Sequence, residues 1–338
     1  MKKIILLILL VTAAIPCTFA SGSSENKIVI YTSMYQDVID SVKKDLKKKF
    51  PKYDIEFVYG GTGTLENKIS AERSNGKLGC DILMTADPAY SLELKEKGML
   101  HSFVSKEVQN LAFDYDKEGY WYPVRISNMV LAYNPEKFSK NSLPDSFRSF
   151  AFDTKVTGAI SMRNPLVSGT TMAAVTALRD KYSYEYFEAL GKQRVKIDYG
   201  SDETIRKLET GECRIVMILE ESILKIREEK KSKLEVIYPT DGVVVIPSPI
   251  MIINNKWSAN KNTKAAEEIS NWFLSADGQN AIVSGWMHSV RTDFDKIPYN
   301  SKPIKEIRSN SIPVIWENVY KEKRDIQRRF EQYLAVRK

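Results

Sequence analysis

The sequence predicts an α/β fold of two lobes, each a mainly parallel sheet flanked by helices. Three observations lead there. Short apolar strands alternate with stretches of helical periodicity along most of the chain. The alternation runs twice, and apolar strands near Asn128 and Ile250 lie between the runs as crossings from one lobe to the other. The 338 residues are also too many for one ordinary core. The expected lobes are residues 27–124 with 250–295, and residues 125–249 with 296–338.

The start reads as an export signal. Met1-Lys2-Lys3 is a charged head, Ile4 to Pro16 an apolar stretch too short to span a bilayer, and Thr18-Phe19-Ala20 a small-x-small cleavage site. Residues 1–20 are expected to be a signal peptide and 21–26 a flexible start, which predicts a periplasmic location. Lipid attachment at Cys17 is the rival reading, but Pro16 replaces the small residue that a lipobox places beside the cysteine.

In the first run, Lys27 to Tyr31 is a strand, and Asp37 to Phe50 is a helix with Val38, Val42, Leu46 and Phe50 on one stripe. Tyr53 to Tyr59 is a second strand. Gly60-Gly61-Thr62-Gly63-Thr64 reads as a tight loop before a helix over Leu65 to Arg73. Asp81 to Met84 is a third strand, and Asp87-Pro88 opens a helix that ends near Gly98. Asn128 to Tyr133 is the first crossing strand. In the second run, Gly158 to Met162 is a strand that enters Asn164-Pro165-Leu166-Val167-Ser168-Gly169-Thr170-Thr171, where a helix starts. Asp202 to Thr210 is a helix stopped by Gly211, and Arg214 to Leu219 is a buried strand followed by Glu220 and Glu221. Leu234 to Tyr238 and Ile250 to Ile253 are strands. Lys264 to Leu274, Gly278 to Gly285 and Pro313 to Tyr333 are helices.

Open α/β sheets bind ligands beyond the carboxyl ends of their strands, and polar residues collect there. Ser33 and Tyr35 follow the first strand, and Thr62 and Thr64 the second. Ser168, Gly169 and Thr170 begin a helix, whose unpaired N–H groups and partial positive charge can hold an anion. They serve equally as an ordinary cap. Tyr35 can cap, pack or bind, and Thr62 to Thr64 can bind or merely turn. Ser201 is either a helix cap or a ligand contact. Arg125, near the first crossing, is either a charged fork for an oxyanion or an ion-pair partner. Adjacent carboxylates after the apolar run Ile215 to Leu219 are costly if buried unpaired. Both are candidate ligand contacts, but acids are also favoured in the first turn of a helix, so only one of Glu220 and Glu221 need be functional.

Several classes are set aside by composition. The formal charge of +7 is spread among acids, as in Lys43-Lys44-Asp45-Leu46-Lys47-Lys48-Lys49, which reads as a solvated helix face and not as a nucleic-acid patch. Cys80 and Cys213 are expected to be free, buried thiols, and with His101 and His288 they make no zinc spacing. No G-x-S-x-G, H-E-x-x-H or P-loop lysine points to catalysis.

Taken in order, several segments resemble one family. They are Ile28 to Ser33, Tyr59 to Leu65 with Asp81-Ile82-Leu83, Pro165 to Thr170, Thr210-Gly211-Glu212 with Arg214 to Glu221, Tyr238 to Gly242, and Ala265 to Gln279. Together they resemble the periplasmic substrate-binding proteins of ABC importers, in the group that includes ferric-ion, thiamine, 2-aminoethylphosphonate and hexose-phosphate binders. The resemblance implies the type II two-lobe fold with a crossover-strand hinge. It also implies a monomeric receptor that hands a small solute to an ABC permease in the inner membrane, without a cofactor and without catalysis. The turn at Ser168 to Thr170 matches the one that holds phosphate-like anions in that family, so an anionic phosphorylated or phosphonate solute is expected. Ferric iron is the alternative. The family's iron ligands fall here on Tyr35, Ala86, Glu221 and Ser222, so Tyr35 and Glu221 would have to serve, and the usual tyrosine pair is missing.

Overall fold

The computed structural model describes residues 26–335. The signal peptide over 1–20, its cleavage after Ala20 and the alternative at Cys17 lie outside the described residues. No described helix is long and apolar enough to cross a membrane.

The strands are β1 (Lys27–Thr32), β2 (Asp54–Tyr59), β3 (Ile82–Met84), β4 (Leu100–His101), β5 (Trp121–Tyr133), β6 (Ile160–Arg163), β7 (Lys196–Asp198), β8 (Ile215–Leu219), β9 (Glu235–Ile237), β10 (Val243–Ile253) and β11 (Ser311–Ile312). They form one mixed sheet in the order β2-β1-β3-β10-β5-β8-β6-β7. β1 is parallel to both β2 and β3, and β6 is parallel to both β7 and β8. Between these halves, β10 and β5 run antiparallel to each other and to β3 and β8. Each half therefore repeats one plan: the first strand is central, the second outer, and the third lies beside a crossing strand. The winding reverses at β1 and at β6, where a crevice opens beyond the strand ends.

Both crossing strands are longer than the sequence suggests. Pro123, Pro247 and Pro249 read as breaks, because proline has no N–H for a sheet ladder. The chain accommodates the second pair with a register shift between Ser248 and Pro249. Every residue of β5 is buried, so burial on both faces hides the alternation that would have marked it. The glycine loop is also shorter than expected. The helix after β2 begins at Thr62 and runs to Ser74.

Helices cover both faces of each half. The Gln36–Lys49 helix buries Val38, Ile39, Val42 and Leu46, and ends in Lys47, Lys48 and Lys49, whose charges suit a helix C-terminus. It shares a core with Ile28, Ile30, Ile252 and Phe273. The opposite face of that half buries Val29, Leu65, Cys80 and Leu83. In the second half, Met162, Val175, Phe187 and Phe330 build one core, and Cys213, Val216 and Ile218 the other. Cys80 and Cys213 are free and buried, as expected. The C-terminal Trp316–Ala335 helix packs Phe330 edge-on against Phe187, with ring centroids 5.3 Å apart. Its other side reaches the first lobe, where Lys323 pairs with Glu66 and the Tyr320 hydroxyl donates to Glu96.

Candidate functional site

Two helix starts meet across the cleft. From the first lobe, the Thr62–Ser74 helix begins after Gly61 without a side-chain cap. From the second, the Gly169–Tyr182 helix begins after Ser168, whose Oγ accepts the Thr171 N–H at 3.2 Å. The cap and the anion readings of Ser168 are therefore compatible, since one hydroxyl satisfies one of several orphan N–H groups. The approach is close enough to require glycine. A Cβ on Gly63 would lie 2.9 Å from the Leu166 carbonyl oxygen, and one on Gly169 would lie 2.9 Å from Thr62 Cβ. Asp87, beyond β3, packs against Gly169 from the other lobe. Burial raises its carboxyl to about 7, the Lys323 charge pulling down and Glu66 pushing up.

β5 sets the polar floor of the cleft. Alternate residues on a strand face opposite sides, so Arg125 and Ser127 share one face and Asn128 takes the other. The helix after β8 begins with Glu220, so its two acids are received separately. Ser127 Oγ donates to Glu221 Oε1 at 2.7 Å, and Asn128 Nδ2 donates to Glu220 Oε2 at 2.7 Å. Glu220 also accepts from the hydroxyls of Tyr238 and Ser301 and lies 3.2 Å from His288 Nε2. Burial alone would raise Glu220, but His288, Ser301 and Tyr238 outweigh it and hold the carboxyl below its ordinary range. Burial does raise Glu221, to about 7, against the Ser127 hydroxyl and the Arg125 charge and with help from Glu220.

Arg125 is only 3% exposed. Its Nη2 donates to Ser33 Oγ at 2.9 Å, while its Nη1 has no hydrogen-bond partner among the described residues. Burial lowers the guanidinium to about 10, opposed by the charges of Glu221 and Tyr35. Arg163, at the end of β6, likewise has an Nε without a partner among the described residues, and its Nη2 reaches the Tyr199 carbonyl at 3.4 Å.

These groups line one cavity of about 50 Å³ between the lobes, the space of roughly four waters. Of the expected site residues, Ser33, Tyr35, Thr62, Arg125, Ser168, Gly169, Thr170 and Glu221 line it. Tyr35 reaches across the cleft, its hydroxyl 2.7 Å from Ser222 Oγ. Burial raises its pKa, with the Glu221 charge adding to the effect. Three expected residues do not line the cavity. Thr64 is exposed, because the helix has already begun and turns it outward. Ser201 opens the Ser201–Thr210 helix, whose cap position is Gly200, with its hydroxyl close enough to that of Tyr35 to lower the tyrosine's pKa slightly. Glu220 points to the far face of β5. Arg163, Ser127 and Tyr59, which are not among the expected site residues, line it as well. Arg163 had a signal, since it ends the strand that leads into the Asn164 turn. Ser127 had one too, two residues from Arg125 on a strand.

A family model described as bacterial extracellular solute-binding protein matches residues 41–292 of the chain. No curated protein sequence matches it. The fold is similar to iron-bound HitA from Pseudomonas aeruginosa, with a TM-score of 0.78, 19% identity, and coverage of 90% of this chain and 99% of that one. It is similar also to the periplasmic binding protein AfuA from Actinobacillus pleuropneumoniae with fructose-6-phosphate bound, with a TM-score of 0.79, 18% identity, and coverage of 92% and 99%. A third likeness is the periplasmic binding protein P5PA, at a TM-score of 0.76 and 20% identity, covering 93% and 100%. All three have the two-lobe type II architecture described above.

Proposed function

The chain belongs to the bacterial extracellular solute-binding proteins, and from that premise we propose that it captures a small anionic solute of the phosphorylated or phosphonate type. The solute docks between the lobes and is carried to an ABC permease in the inner membrane. The receptor is periplasmic and monomeric, and needs no cofactor. One observation carries the anion assignment: Arg125 is buried, with one nitrogen unpartnered among the described residues, in the cavity where two helix starts converge. A buried cation with unused donors costs free energy unless an anion completes it. Charge-assisted bonds from arginine to an oxyanion are among the strongest that a protein makes. Arg163 adds a second positive group, and the likeness to a fructose-6-phosphate complex fits the same class. Glu221 and Tyr35 complete the wall of the same cavity.

Ferric iron is the second reading. It is favoured by Tyr35 and Glu221 lining one cavity and by the likeness to an iron-bound receptor. Against it stand two guanidinium groups at the cavity wall, which repel a trivalent cation.

A thermal-shift panel separates the two. Ligands would be inorganic phosphate, aminoethylphosphonate, hexose phosphates and ferric citrate. A ligand at a hundred times its Kd adds about 2.7 kcal/mol of stability. A shift with a phosphorylated or phosphonate compound is expected. A shift with ferric citrate alone, with a tyrosinate-type absorbance, would replace the anion reading by the iron one.

A further inference from the structure

Glu221 poses a problem that the anion reading leaves unsolved. It is 3% exposed, and it borders the same small cavity as Arg125. Among the described residues its one side-chain hydrogen bond comes from Ser127, at 2.7 Å. The charged or titratable groups around it are Arg125 from β5, Arg163 at the end of β6 in the wall of the same cavity, Tyr35 from the first lobe and Glu220 from its own helix. An oxyanion that docks on Arg125 is therefore brought against a carboxylate that already uses part of that charge. In about 50 Å³ the two cannot keep their distance. Two bare negative groups in contact in a buried site cannot both stay ionised. A proton between them removes the conflict, turning repulsion into a short O–H···O⁻ bond of the charge-assisted kind.

We propose that Glu221 and the bound oxyanion share one proton, so that the receptor selects oxyanions that themselves retain a proton at neutral pH. The inference rests on the anion-receptor reading and adds the class of anion. Hydrogen phosphate brings the proton with it across the neutral range, and phosphonates and phosphate monoesters do so only as monoanions, below a pH of about 6. Sulfate and sulfonates have the same shape but no proton to give, so Glu221 must take one from solvent before they fit. Burial has already moved Glu221 to about 7, so that uptake is easy in weak acid and costly above neutrality.

The test is calorimetric titration of the mature chain with two matched pairs, inorganic phosphate against sulfate, and 2-aminoethylphosphonate against 2-aminoethanesulfonate. Each would be run from mildly acid to mildly alkaline pH in buffers of different ionisation heat. The sulfur member of each pair should lose roughly tenfold in affinity per pH unit above neutrality and take up one proton as it binds. Inorganic phosphate, which keeps a proton as HPO4 2−, should bind with little pH dependence over that range, whereas the phosphonate, which gives up its last proton at a pH of about 6, should fall in affinity above neutrality as its sulfonate partner does. Glu221→Gln supplies a fixed amide donor, so it should bind the sulfur member without a pH slope and narrow or reverse the preference. Equal affinities with equal slopes for phosphate and sulfate in the wild type would overturn the proposal, and so would an unchanged phosphate preference in Glu221→Gln. The proton count on the wild type decides the matter should that variant fold poorly. If neither pair gives a binding signal, the anion reading itself falls and takes this inference with it.

Discussion

Behind the crossing strands, Glu220 meets four partners among the described residues, Asn128, Tyr238, His288 and Ser301, while one residue further on Glu221 meets a single hydroxyl among them, in the cleft. Both carboxylates are buried. One is held below the ordinary carboxylate range and the other is raised to about 7. Burial acts on both in the same direction, so the difference lies in the number of donors. A carboxylate surrounded by donors is part of the framework. One left short of donors beside an underused arginine is ready for something else. The contrast separates framework from binding surface more sharply than residue type does.

Removing the arginine should break the comparison most. Arg125→Met is expected to lower oxyanion affinity by at least about a hundredfold, the worth of charge-assisted hydrogen bonds in a buried site. The unfolding midpoint should not fall, because a desolvated cation is removed. Calorimetry and chemical denaturation together check both halves.

Glu220→Gln tests the other side. It breaks a buried network around His288 and should cost about 3 kcal/mol of stability, measured by urea unfolding, with anion affinity nearly unchanged. Loss of binding at unchanged stability would mean that the two acids have exchanged roles.

pH sharpens the contrast. Glu221 and Asp87 are raised in the closed cleft, so their contribution to closure is complete below the ordinary carboxylate range and is lost as pH rises through about 7. Glu220 is lowered, so its contribution is present above that range and is lost in acid. A tenfold change in a carboxyl group's acidity on closure is worth about 1.4 kcal/mol. Between pH 5 and pH 8, roughly the span of these titrations, the lobes should move toward opening while the framework holds. Small-angle scattering should show a growing radius with no change in far-ultraviolet circular dichroism. Asp87→Asn should flatten that trend.

The smallest effects lie at the helix starts. Ser168→Ala removes a cap and should cost about 1 kcal/mol. Thr64→Val, on an exposed first turn, should stay within about 0.5 kcal/mol and leave binding unaltered.

Much of the fold was legible in the chain. The strands from Ile28, Ile82 and Ile215 announce themselves by apolar runs, and the turn from Asn164 to Thr171 by its proline, its glycine and its hydroxyls. The extent of the crossing strands was not legible, because prolines normally exclude a central strand and the compensating register shift is a property of the pairing. Among the site residues, Ser168 and Glu221 could be named from their place after strands. Arg163 was fainter. Its place before the Asn164 turn is a signal, but an arginine ending a four-residue strand otherwise looks like any surface residue.

What the sequence determined by itself was the class of the fold, the strand ends where polar groups collect and the helix start suited to an anion, all of which follow from local periodicity and backbone chemistry. Only the tertiary structure decided which of those ends meet. The phase of β5 sends Ser127 to Glu221 and Asn128 to Glu220, and the glycines at 63 and 169 let one lobe close on the other. Such pairings depend on contacts between residues far apart in the chain, and no local pattern encodes them.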